Sequence, residues 1–296
     1  MTSSGDELRG LMSEDGALPV AGVFNPLSAL TAEQVGFKAL YFSGAAFSAS
    51  LGIPDIGLFT PDELTTAVRW VTRATGLPLI VDADTGFGEA VNVYRTVRDL
   101  EAAGATAIQI EDQVMPKRCG HLDGKQIVPV KEFTAKLRAA REARNTSLII
   151  ARTDSKAVYG MGEAVRRGQA YLEAGADIIF PEALESESEF GEYSRLVGAP
   201  LLANMTEFGK TPYLTVERFG ELGYKLVIFP VTALRVAAKA MESALSETLE
   251  QGTQRELLHR MQTRSELYEL IRYSDYERMD GVFQGLDQLC NPSGCR

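Results

Sequence analysis

Eight short apolar runs alternating with helical patterns predict an α/β chain, a (β/α)8 barrel of the TIM type with a C-terminal helical arm. Three observations carry this. The runs lie at 18–24, 39–43, 79–82, 107–110, 148–151, 177–180, 201–203 and 226–229, the eight βα units that close a barrel. Several are continuous rather than alternating, as strands buried on both faces are. Polar residues gather just after the runs, where the catalytic rim of a barrel would be.

In chain order, the first run leads to Asn25 and the second to Ser43 and Gly44. A helical pattern at 61–75 stops at Gly76, and the third run delivers Asp82 and Asp84. Another at 92–103 stops at Gly104, before the run that ends on Glu111 and Asp112. The pattern at 131–144 precedes the run followed by Arg152 and Asp154, and the one at 163–174 stops at Gly175 before the run that reaches Glu182. Asn204, Thr206 and Glu207 follow the seventh run; the helix 215–222 stops at Gly223, and Arg235 follows the eighth run. Glycine ends helices because it adopts the left-handed conformation without penalty. Helix N-caps account for one or two of the polar residues, with Asp154 and Thr206 as candidates, but not for the series. The structural alternative is a doubly wound open sheet, yet no Gly-x-Gly-x-x-Gly follows the first run. The remainder reads as helical over 233–249 and 255–271. The expected organisation is one barrel domain over 1–296, with a helical extension at about 233–280 and a disordered tail at 281–296.

Composition narrows the function classes. Hydrophobic content of 45% and charged content of 24% are those of an ordinary globular protein. Thirty basic against forty acidic residues leave a net charge of −10, which argues against nucleic acid and anionic membranes as partners. No apolar stretch reaches a membrane span, and the first residues lack the basic-then-apolar layout of a signal peptide. Three cysteines, an odd number, suit reduced thiols and a cytoplasmic setting rather than a disulfide framework. Cys290 and Cys295 sit in the Gly/Pro/Ser-rich tail.

The chemistry concentrates at 108–121, Ile-Gln-Ile-Glu-Asp-Gln-Val-Met-Pro-Lys-Arg-Cys-Gly-His. Glu111 and Asp112 offer the hard oxygens a magnesium ion takes. Cys119 lies beside Lys117, Arg118 and His121, an electropositive setting in which a thiol serves as acid, base or nucleophile. The bland alternative, a solvated basic loop with an incidental cysteine, leaves so dense a run of reactive groups unexplained. Asp82 and Asp84 stand two residues apart, on one side of an extended segment, and with Glu111 they form a cluster that binds a hard cation or shares protons. A zinc site is not expected, since the two histidines are far apart. Arg152, Arg235 and Arg264 are the cations available to an anionic substrate, guanidinium being the natural partner of a carboxylate. A surface ion pair is the competing account of any one of them, Arg264 above all.

These residues resemble the isocitrate lyase/phosphoenolpyruvate mutase superfamily, and within it the 2-methylisocitrate lyases, from about residue 8 to about 280. The marks are Ser-Gly-Ala at 43–45, Leu-Gly-Ile-Pro-Asp at 51–55, Asp-Ala-Asp-Thr-Gly-Phe-Gly at 82–88, Glu-Asp-Gln at 111–113 and Lys-Arg-Cys-Gly-His at 117–121. Ala-Arg-Thr-Asp at 151–154, Pro-Glu-Ala at 181–183, Asn-Met-Thr-Glu-Phe-Gly-Lys-Thr-Pro at 204–212 and Gln-Thr-Arg-Ser-Glu-Leu-Tyr-Glu-Leu at 262–270 complete them. The resemblance implies a barrel whose last helix is exchanged between subunits of a homotetramer built from dimers. It implies Mg2+-dependent retro-aldol cleavage of 2-methylisocitrate to pyruvate and succinate in propionate catabolism, with Mn2+ as a substitute metal. Carried over, Asp82, Asp84 and Glu111 hold the metal directly or through water, and Ser43, Gly44 and Ala45 contact the 2-oxo acid, with Asp55 and Arg152 nearby. Cys119 is the acid that protonates the succinate carbanion. Lys117, Arg118, Gly120, His121, Glu182, Asn204 and Thr206 surround it, while Arg235 and Arg264 grip succinate carboxylates. Ala45 stands where some relatives have glycine. The Cys119 loop is expected to close over substrate, Phe180 and Ile228 to shape a methyl pocket, and Tyr41, Glu182 or a metal-bound water to serve as base. Isocitrate lyase, dimethylmalate or oxaloacetate cleavage, and phosphonopyruvate or phosphonomutase chemistry remain open in the same barrel, as does a non-catalytic scaffold.

Overall fold

A computed structural model describes residues 4–122 and 124–284. Contacts divide the chain after Ala237. In the first unit the strands are β1 (Leu18–Val23), β2 (Leu40–Phe42), β3 (Leu79–Asp82), β4 (Ala107–Glu111), β5 (Leu148–Thr153), β6 (Ile178–Pro181), β7 (Leu202–Asn204) and β8 (Leu226–Phe229). All pair in parallel, in the order β6-β5-β4-β3-β2-β1-β8-β7, and a parallel bridge between Ile179 and Leu201 joins the two ends. That ring is a (β/α)8 barrel and excludes the open doubly wound sheet.

The continuous apolar runs have the expected cause: every residue of β3, β4, β5 and β6 is buried. One set of strand side chains fills the barrel, with Val20, Tyr41, Ile80, Ile150, Phe180 and Ile228 among them; the other packs beneath the surrounding helices. Three of the four glycine stops are left-handed: Gly104 (φ 101°), Gly175 (φ 114°) and Gly223 (φ 90°). The helix Pro61–Ala74 instead ends on an extended Thr75, so Gly76 is not a left-handed cap. Asn25 and Ser43, read as rim residues, are helix N-caps: Asn25 caps Pro26–Gln34 in a reciprocal box with Ser28, and Ser43 accepts from the Ala46 N–H. Asp154 and Thr206, the expected caps, cap nothing; Ser155 precedes the short helix Lys156–Tyr159.

The sequence pattern passes over the helix Ser4–Ser13, because two glycines and three charged residues interrupt its apolar positions. Its Leu8 is fully buried in the same cluster as the barrel-filling side chains. Leu8→Ala should therefore cost about 2–5 kcal/mol of stability. Urea unfolding of the variant checks this, and an unchanged midpoint would show that the helix is an ornament.

In the C-terminal unit, the long helix Thr232–Gln251 begins within the barrel unit and buries none of its residues. A 3-10 turn, Arg255–Arg260, and the helices Arg264–Leu270 and Tyr273–Phe283 follow. The single helical segment expected over 255–271 is thus broken at 261–263, where Thr263 caps a new helix in a box with Glu266. Helix extends to Phe283, into the segment expected as a tail from 281; Cys290, Cys295 and the rest of that segment lie outside the described residues.

Candidate active site

A cavity at the carboxyl-terminal ends of the strands is lined by Ser43, Ala45, Asp55, Asp82, Lys117, Arg118, Cys119, Gly120, His121, Arg152, Glu182, Asn204, Thr206 and Arg235. Tyr41, Phe180, Ile228, Pro230 and Val231 complete the wall. Strand register explains the convergence: Glu111 stands beside Arg152, Arg152 beside Phe180, and Asn204 beside Ile228, each pair level across neighbouring strands. Among described non-glycine residues the left-handed backbone conformations fall at Asp84, Phe87, Ala183, Phe208 and Arg272, four of them on loops that leave β3, β6 and β7 at this rim.

The acids are not equivalent. Asp82 is satisfied: it accepts from the Gly44 N–H at 3.3 Å, from the Gln109 amide at 3.0 Å and from the Asp84 N–H at 3.2 Å. Gln109 in turn accepts the Tyr41 phenol at 2.7 Å. Both carboxylate oxygens of Asp84 and of Glu111 are buried without a hydrogen-bond partner, and only ion pairs reach them. Lys117 Nζ lies 2.6 Å from Asp84 and 2.5 Å from Asp55, while Arg152 Nε lies 3.3 Å from Glu111. Burial pushes the Asp84 carboxyl up to about 7 against the pull of Lys117, and raises Glu111 well above the usual range against Arg152.

These orphaned oxygens fit a hard divalent cation. Among the described residues no three His, Cys, Asp or Glu side chains converge closely enough to hold an ion by themselves. Magnesium does not require that, since it commonly takes one or two carboxylates and completes its octahedron with water and substrate oxygens. Gly44 keeps the place open, because a Cβ there would come within 3.0 Å of Asp82 and 3.4 Å of Asp84. Asp112, read from sequence as a further ligand, is not one. It is fully buried and points away, accepting from Thr153, the Asp154 N–H, Arg167 and Tyr171.

The loop residues divide by role. Lys117 is buried, and although burial alone would lower its pKa, Asp84, Glu111, Asp82 and Asp55 raise it well above the ordinary value, so it stays an ammonium. Gln113 holds the Arg118 backbone from both sides, at 3.0 Å and 2.9 Å. Cys119 is a free, exposed thiol. His121 Nδ1 accepts from the Lys210 N–H at 3.0 Å while Nε2 lies 3.0 Å from Glu182, so the proton belongs on Nε2 and the ring ties three loops together. Glu182 is fully buried, but Arg152 and then His121 outweigh burial and lower its pKa. Arg235 donates to Glu207 and covers Phe208. Arg264 is an exposed first residue of a helix in the C-terminal unit.

Sequence reasoning missed Gln109, which orients Asp82, and Lys125, which is buried against Asp154. No local pattern marks either one. Asp154 is a hub: Arg152 reaches it at 2.9 Å and 3.1 Å and Lys125 at 2.9 Å. Burial would raise its carboxyl, but Arg152 and Lys125 hold it at about 2 instead of 3.8. Asp154→Asn should cost about 3–5 kcal/mol, because two buried cations lose their partner. A depressed folded pKa stabilises above the unfolded value and loses that contribution as pH falls through the folded one. The gap between variant and native protein should thus be full at pH 7 and narrow from about pH 4 towards pH 2. A gap independent of pH in urea unfolding would contradict this assignment.

Known proteins are similar to this chain in sequence and fold. The phosphoenolpyruvate phosphomutase family matches residues 8–249. A curated 2-methylisocitrate lyase of Aeropyrum pernix is 58% identical over 92% of this chain and 89% of its own. The crystal structure of 2,3-dimethylmalate lyase superposes with a TM-score of 0.89 at 34% identity, covering 95% of this chain and 96% of that one. Phosphonopyruvate hydrolase, solved as a complex with oxalate and Mg++, gives 0.85 at 33% identity, covering 95% and 98%. A closed parallel barrel whose rim carries open carboxylates under a Lys-Arg-Cys-Gly-His loop therefore places this chain in the phosphoenolpyruvate phosphomutase family, within the isocitrate lyase/phosphoenolpyruvate mutase superfamily.

Proposed function

We propose that the chain is a carbon–carbon lyase that cleaves 2-methylisocitrate to pyruvate and succinate. The observation that carries this is Cys119 on the same cavity as Arg152, Arg235 and Asp82, in a chain 58% identical to a lyase of that name. The substrate hydroxyl loses its proton, the bond between the carbinol carbon and its neighbour breaks, and the carbinol becomes the pyruvate carbonyl. The electron pair passes to a carbon flanked by carboxylate, giving the succinate carbanion, and the Cys119 thiol supplies its proton. Arg152, fixed by Asp154 at 2.9 Å, and Arg235 offset the charge that develops. Arg264 is assigned a second succinate carboxylate.

Asp84 and Glu111, with Asp82 as an outer acid, are the residues that would hold magnesium, with manganese as a substitute. Such an ion supplies Lewis-acid charge beside the substrate's hydroxyl and carboxylate oxygens. Lys117 offsets the acids from the other side, while Ser43, Gly44, Ala45, Asp55 and Gly120 shape the oxo-acid end. His121, Asn204 and Thr206 hold Glu182 and the far wall. Neither side-chain candidate for the base is well poised. Burial and Asp82 raise Tyr41 well above the phenol range, and Glu182 is held low. Phe180, Ile228 and Val231 give the cavity an apolar side that suits the substrate methyl.

The same reading includes a cytoplasmic homotetramer with an exchanged helix. An apolar hollow of about 570 Å³ on the outside of the barrel, lined by Phe24, Leu27, Val35, Phe37 and Phe229 among others, supports the exchange. No helix among the described residues is long and apolar enough to cross a membrane. Proton NMR of the reaction mixture tests the activity: equimolar pyruvate and succinate are expected, whereas cleavage only of 2,3-dimethylmalate or phosphonopyruvate would overturn the assignment.

A further inference from the structure

We propose that Lys125 is a positioning residue that locks the Cys119 segment onto the catalytic arginine. The inference rests on the lyase reading for its consequences but not for its geometry. Lys125 is 6% exposed, an unusual place for an ammonium, which is tolerated in the interior only when its charge is met. It donates to the backbone carbonyl of Gly120 and, at 2.9 Å, to Asp154 Oδ1. Asp154 already has a cation, since Arg152 reaches it at 2.9 Å and 3.1 Å. Arg152 is itself shared with Glu111 at 3.3 Å and Glu182 at 3.9 Å, so Lys125 helps to neutralise the acids, and what it adds beyond that is its hold on Gly120.

Gly120 is where such a hold matters. A Cβ on Gly120 would overlap Glu182 and come within 2.5 Å of Arg152 Nη2, so the backbone itself lies against the two charged groups. Cys119 precedes it by one residue, and Arg152 Nε continues the chain of contacts to Glu111 at 3.3 Å. Gly120, Lys125, Asp154, Arg152 and Glu111 thus form one line from the thiol's backbone to the open acids. Arg118 is held separately, through Gln113, and His121 through Glu182 and the Lys210 N–H, while Lys125 is the side chain that takes the Gly120 carbonyl next to Cys119. Displacing a reacting group by about 1 Å can reduce turnover about 100-fold while substrate still binds.

The test uses the full-length protein with Lys125→Met, which keeps the chain's volume, beside Lys125→Ala. In Lys125→Met, kcat should fall about 100-fold with KM nearly unchanged. Tryptic cleavage after Arg118, mapped by mass spectrometry without substrate, should become about tenfold faster. Ethylammonium should restore part of the turnover of Lys125→Ala, because a small cation can re-enter between Asp154 and the Gly120 carbonyl. Unchanged cleavage at Arg118 overturns the proposal even if the enzyme proves to use another substrate. A general loss of thermal stability without rescue by the amine also overturns it, in favour of a packing role. If Lys125→Ala does not fold, the cleavage rate and the kcat–KM split in Lys125→Met decide.

Discussion

Cys119→Ser should lower turnover by at least about 1,000-fold while leaving the unfolding midpoint where it was. A serine hydroxyl is a far weaker acid than a thiol, and proton transfer by a positioned group is typically worth about 100- to 10,000-fold. Folding should not notice, because the side chain is exposed and packs in no core cluster. The comparison that checks this is kcat with and without the substitution, beside thermal unfolding of both proteins. A serine variant with near-native turnover would take Cys119 out of the chemistry and leave the succinate carbanion to be protonated by solvent.

Asp84→Ala should remove the response to magnesium as well as activity. Both Asp84 oxygens are buried and unpartnered, so the carboxylate has little structural employment beyond Lys117, which keeps Asp55 as its other partner. Loss of a metal worth several kcal/mol in the transition state corresponds to about 1,000-fold or more in rate. The rise in melting temperature on adding magnesium to EDTA-treated protein should also disappear. Retention of that rise in Asp84→Ala would move the metal to other residues. Glu111→Gln should act in the same direction, and Asp82→Asn less severely, since Asp82 spends its oxygens on Gly44, Gln109 and the Asp84 backbone.

Much of this was legible in the residues because the physics is local. Continuous apolar runs mark doubly buried strands, and Gly104, Gly175 and Gly223 mark helix ends through a conformation that glycine alone adopts cheaply. The rim was legible because successive strand ends must meet once the barrel closes. What was misread depended on where a side chain turns. Asn25 is polar at its strand end for the sake of the helix that follows, while Ser43 both caps a helix and lines the cavity. Asp112 and Glu111 are sequence neighbours on opposite sides of β4's end, and only Glu111 faces the acids. Lys117, read as part of the electropositive setting of Cys119, is buried between two carboxylates. Lys125 and Gln109 gave no signal, since their partners are 29 and 27 residues away. Arg264, on a helix of the C-terminal unit, carries its role through resemblance alone.

The most direct test of the whole account is a side-by-side determination of kcat/KM for 2-methylisocitrate and isocitrate, with magnesium and again with EDTA. The expected result is metal-dependent pyruvate release, with glyoxylate from isocitrate slower by about 10-fold or more, the discrimination one methyl group in an apolar pocket provides. Equal or faster glyoxylate release, or pyruvate release undiminished by EDTA, would contradict it.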